Sequence, residues 1–194
     1  MKRYMFCGYP KGVIKIKGAK ELETSSVAYY GEMAFLYYEC REEMIPEQVA
    51  EGDMVPFPDG SSWWRMPEIF HYFSCENEEL WRRKVAKKTP VFRINYLKQD
   101  KIASYIYYHF EHQETNQIGC DRYGSIYCYQ NLIIMYTESP TEKVKWIDIE
   151  GKCHRPGLAN WDALMEEHFN EWEDGSKGWR SCYDSRSKCK TGYK

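Results

Sequence analysis

The chain has 194 residues, 43% of them hydrophobic and 16% aromatic, with a formal net charge of −2. That length allows one domain with a core that needs neither disulfides nor metal, and the small net charge gives no footprint for nucleic acid or an anionic membrane. No apolar run approaches the ~20 residues of a bilayer span, and the opening MKRYMFCGYPKG has no apolar stretch behind its cations, so no secretory signal is read and the cytoplasm is the expected compartment.

Eight cysteines then read as reduced thiols, with Cys7, Cys40 and Cys128 as small buried hydrophobes inside strand-like runs. No CxxC occurs, so no structural zinc site is expected. Without GxGxxG or a P-loop, no nucleotide cofactor is expected either. Seventeen Tyr, eight Phe and seven Trp lean the composition towards strands.

In chain order, Tyr4 to Lys17 reads as two strands around Gly8-Tyr9-Pro10-Lys11-Gly12, followed by a polar loop, GAKELETSS. Val27 to Cys40 reads as one strand, apolar on both faces and therefore central, with Glu39 ending it near the surface. The segment from Arg41 to Arg65 carries Pro46, Pro56, Pro58 and the turn Asp59-Gly60, so it reads as a long irregular loop closing on Trp63 and Trp64. Glu68 to Ser74 is a short strand. Ser74 to Lys88 reads as a helix with acidic residues first and basic residues last.

Pro90 to Glu114 reads as a hairpin turning at Lys98-Gln99-Asp100. On its second strand, alternation sets Ile102, Ser104, Ile106, Tyr108 and Phe110 against Tyr105, Tyr107, His109 and Glu111. A three-residue turn adds Arg93 to the second set, whereas a two-residue turn shifts the register by one. Ser125–Tyr129 and Leu132–Glu138 form a hairpin around Gln130-Asn131, placing Ile126, Cys128, Ile133 and Met135 on one face. Val144 to Glu150 is a last short strand. Asn160 caps a helix over Trp161 to Trp172, whose apolar face includes His168.

These elements predict an α+β fold: a mainly antiparallel sheet of about six to eight strands with two amphipathic helices on one face, and a ferredoxin-like core as the finer guess. Residues 1–173 form a single domain. Residues 174–194, with six Lys and Arg against two Asp, form a polar basic tail.

The chemistry concentrates on the polar face of the 102–112 strand. His109 and Glu111 are candidates for acid–base work with His71 assisting, while Arg93, Tyr105, Tyr107, Trp63 and Trp64 are candidate ligand contacts. A strand presents only two of His109, Glu111 and His112 together, so no metal site is read from them. Two function classes follow. The first is a binding or interaction module that takes a small polar, sugar-like ligand or a protein partner, with homo-oligomerisation left open. The second is a cofactor-independent isomerase or hydrolase of a sugar-like substrate using His and Glu. Whether the protein is an enzyme is not decided at this level.

Overall fold

The computed structural model describes residues 1–75, 78–85, 87–113, 119–145 and 160–184. The chain is mixed α+β with antiparallel sheets. It divides into two compact units, one built from Met1–Pro67, Cys75–Trp81 and the chain from Cys182, the other from Glu68–Ser74 and Arg82–Ser181.

The first unit holds β1 (Lys2–Pro10), β2 (Lys15–Ile16), β3 (Leu22–Tyr30), β4 (Met33–Cys40), α1 (Pro46–Val49), β5 (Ala50–Glu51), β6 (Met54–Val55), β7 (Trp64–Met66) and α2 (Glu78–Trp81). Its main sheet runs β3-β4-β1-β6, with β7 also on β1. The expected single strand over 27–40 is a hairpin, because Gly31 adopts φ +57° and turns the chain between β3 and β4. That hairpin also draws most of the expected 18–26 loop into β3. Nor do β1 and β2 pair with each other, since β2 pairs with β5.

Of the strand read over 27–40, the β4 half is covered and central. β4 lies between β3 and β1 and is buried on both faces. Leu36, Tyr38 and Cys40 join Tyr4, Phe6, Tyr29 and Trp63 in one core cluster. Glu39, expected near the surface, is instead fully buried. Its carboxylate accepts hydrogen bonds from Tyr37 Oη at 2.5 Å and Trp81 Nε1 at 2.7 Å. Such partners make a buried carboxylate tolerable. The helix expected over 74–88 is the single turn α2, and it delivers Trp81 to Glu39.

The second unit holds β8 (Glu68–His71), β9 (Thr89–Tyr96), α3 (Ile102–Gln113), β10 (Ser125–Tyr129), β11 (Leu132–Ser139), α4 (Trp161–Glu166) and β12 (Arg180–Ser181). The sheet order is β12-β9-β11-β10-β8, and every neighbouring pair is antiparallel. Three successive antiparallel pairings set β8 and β9 in opposite directions, so 68–96 is not the β-α-β unit of a ferredoxin-like core. The β10–β11 hairpin turns through two residues as read, pairing Tyr129 with Leu132 and Ile126 with Met135. Its inward face packs with Leu97, Tyr105, Met165 and Phe169.

The main correction concerns 90–114. β9 ends at Tyr96, Lys98-Gln99-Asp100 leads into a 3₁₀ turn, and Ile102–Gln113 is helix rather than strand. The last helix also ends early, at Glu166, and Asn160 makes no side-chain cap bond. Part of the supposed tail is built in: Arg180–Ser181 pairs with β9, and in the first unit Tyr183 exchanges backbone hydrogen bonds with Tyr29. Residues 146–150 of the expected last strand, and 185–194, lie outside the described residues.

Candidate functional site

On a helix each residue turns ~100°, so the strand grouping of 102–112 separates. Ile102, Tyr105, Ile106 and His109 face the core at i, i+3, i+4 and i+7. Tyr107 and Phe110 face outward, 58% and 57% exposed. Tyr107 Oη donates to Glu111 Oε1 at 2.8 Å, on the exposed side. His109 and Glu111 are therefore not brought together as an acid–base pair.

His109 is a core aromatic. Its Nδ1–H donates to the Tyr105 carbonyl at 2.9 Å. Phe70 and Trp161 pack edge-on at 5.1 and 5.0 Å between ring centroids. Burial pushes its pKa down to about 4. His112 stacks on Trp161 at 4.2 Å, and burial lowers its pKa too. His168 is buried, bonded through Nδ1 to the Leu164 carbonyl at 2.8 Å and through Nε2 to Ser104 Oγ at 3.0 Å.

The candidate ligand contacts are divided as well. Trp63 is buried in the first unit's core, and Trp64 beside it is 42% exposed and tilted against Phe57. Tyr105, Tyr107 and Arg93 belong to the second unit, where Arg93 is exposed on β9 opposite Met135.

His71 is the candidate that the structure places in a built polar site. A β-bulge pairs Tyr127 with Glu68 but Ile126 with Phe70. That extra residue brings Glu68 and His71, three apart, to the same side of the strand. There the Glu68 carboxylate lies 2.7 Å from His71 Nδ1, and Tyr127 Oη donates to its other oxygen at 3.3 Å. The side chains of His71 and Glu68 are 24% and 25% exposed, open enough to be reached and buried enough to be held.

Gln113, the last residue of α3, fixes the tautomer. The backbone N–H of His71 can only donate, and it does so to Gln113 Oε1 at 3.3 Å. The amide nitrogen of Gln113 must then face His71 Nε2, also at 3.3 Å. An amide N–H is a donor, so Nε2 presents its lone pair and the ring proton sits on Nδ1, towards Glu68. Directly across the sheet, Ser125 is fully buried, and its hydroxyl has no hydrogen-bond partner among the described residues.

Glu68, Gln113, Tyr127 and Ser125 were all missed by the sequence reading. EIFH read as a regular strand sends Glu68 and His71 to opposite faces, and the misread helix hid where Gln113 ends up. In a second polar constellation Arg83 grips Glu138 at 2.5 and 3.1 Å, and Tyr136 Oη donates to the same carboxylate at 2.8 Å. Among the described residues no group of three or more His, Cys, Asp and Glu is placed to hold a metal ion, and no helix is long and apolar enough to cross a membrane. No family model, curated protein or solved structure matches the chain.

Proposed function

We propose that the protein is a cytosolic binding module for a small hydroxylated, sugar-like ligand, taken up at the Glu68–His71–Gln113 site. The observation that carries this reading is the convergence of acceptors and donors at a partly exposed strand edge: the Glu68 carboxylate, the His71 Nε2 lone pair and the Gln113 amide. A hydroxyl both donates and accepts, so it can meet His71 Nε2 and the Gln113 amide at once.

The test is a titration of simple sugars and polyols followed by the His71 ring signals in NMR and by melting temperature. Ligand at about 100 times Kd stabilises the folded state by roughly 2.7 kcal/mol. The response is expected in the wild type, lost in His71→Ala and Gln113→Ala, and kept in Tyr107→Ala. A screen in which no sugar or polyol moves either readout refutes the proposal.

A second reading is favoured by Tyr107 and Phe110, two exposed aromatics one helical turn apart on the outward face of α3. Its occupant is a second copy of this chain, since a two-fold axis sets a helix face against itself. Sedimentation that shows a concentration-dependent dimer, abolished by Phe110→Asp, supports it. A monomer at all concentrations rejects it.

A further inference from the structure

We infer that His71 is a general base for proton transfer in an α-hydroxy carbonyl substrate, so that the site interconverts small aldoses and ketoses. The inference rests on the binding reading above and adds chemistry to it.

The tautomer comes first. A proton on Nδ1 with a lone pair on Nε2 is the form a base needs, and here it is imposed from two sides. Glu68 lies 2.7 Å from Nδ1 and Gln113 presents its amide N–H to Nε2 at 3.3 Å. That second bond is long, so a substrate displaces it at little cost. In the proposed complex the acidic C–H beside the substrate carbonyl takes the place of that N–H at the Nε2 lone pair.

The displaced Gln113 amide stays tethered, because its oxygen still accepts the His71 backbone N–H. Its freed N–H groups then donate to the substrate carbonyl oxygen, where negative charge develops.

The step balances without a co-reactant. His71 Nε2 takes the proton from the hydroxyl-bearing carbon, and the C–H pair becomes the C=C bond of an enediolate while the carbonyl π pair moves to oxygen. The imidazolium so formed is paired with the Glu68 carboxylate. Nε2 then returns the proton to the neighbouring carbon, and a hydroxyl proton shift completes the exchange of aldehyde for ketone. His71 and Gln113 are the catalytic residues. Glu68 is a positioning residue, and Tyr127 Oη, at 3.3 Å from its second oxygen, steadies it.

The experiment incubates the protein in D2O with dihydroxyacetone or glyceraldehyde and follows by NMR both deuterium entry at the α-carbon and interconversion of the two. Exchange proportional to protein is expected, falling about 100-fold in His71→Gln, the lower range for a single acid–base group. Glu68→Gln should lower kcat with KM little changed and shift the pH profile, which a merely structural role does not do. Because His71→Gln can disturb β8, nitrogen chemical shifts of the wild-type imidazole give an independent check. Protonation at Nδ1 supports the assignment, and protonation at Nε2 overturns it. Substrate-dependent shifts of the His71 ring without exchange above buffer overturn the base and leave the binding reading standing. No shift and no exchange overturn both.

Discussion

His109 gives the sharpest energetic expectation. In the unfolded chain its imidazole takes a proton near the ordinary histidine value of about 6.5, whereas burial against Phe70, Tyr105 and Trp161 holds it to about 4 in the folded protein. Between these values the unfolded state binds the extra proton, so stability rises with pH there. The contribution is fully present above about pH 6.5 and is lost as the pH falls towards 4. Each pKa unit corresponds to about 1.4 kcal/mol, so roughly 3 kcal/mol disappears across the window. His112, lowered in the same direction by the same cause, adds to the loss.

The perturbation is His109→Phe, which keeps a ring against Phe70 and Trp161 but cannot titrate. It forfeits the bond to the Tyr105 carbonyl, a net cost of about 1 kcal/mol at neutral pH. Urea unfolding at a series of pH values between 7.5 and 4.5, followed by circular dichroism, should show the variant less stable at pH 7.5. The gap should close or reverse by pH 4.5, since most of the roughly 3 kcal/mol penalty is absent from the variant. Parallel stability curves would refute the argument and mean that a protonated His109 is accommodated.

Further expectations concern Arg83 and two glycines, one in each unit. Arg83→Ala strands the buried Glu138 carboxylate and should cost about 3–5 kcal/mol in chemical unfolding; a loss below about 1 kcal/mol would mean that Glu138 has no need of Arg83. Gly124→Ala places a methyl carbon 2.5 Å from Tyr72 Cδ2 and 3.2 Å from the Asp121 carbonyl oxygen, so a loss of about 1–3 kcal/mol is expected. Gly12→Ala, with nothing within 4 Å, should change stability by less than about 0.5 kcal/mol. The reverse order of melting temperatures would count against the packing at Gly124.

What could be read in advance depended on whether one local signal acted without a competitor. The β10–β11 hairpin was legible because Gln130-Asn131 is a strong two-residue turn between apolar runs, and its register follows from that length alone. β4 was legible because an apolar run on both faces has few places to go except the middle of a sheet. Residues 102–113 were not, because IASYIYYHFEHQ satisfies two periods at once. Its aromatics favour strand, while Ile102, Tyr105, Ile106 and His109 form an equally good helical stripe once Tyr and His are counted as core. Glu39 was misplaced for a related reason: its partner Trp81 lies 42 residues away, and no local pattern announces a carboxylate buried against an indole N–H. The His71 site depended on a bulge, which changes which residues share a face without changing composition.

Among the described residues β8 is the last strand of its sheet. At His71 the oxygen of Gln113 takes a backbone N–H that another strand could claim. An exposed row of such donors is a template for a foreign strand, and proteins that stay apart must blunt it. One amide therefore makes two contacts with the same residue, its nitrogen to the imidazole Nε2 and its oxygen to the backbone N–H. Losing Gln113 would remove both contacts at once, so the orientation of the ring and the cover over that N–H depend on a single side chain.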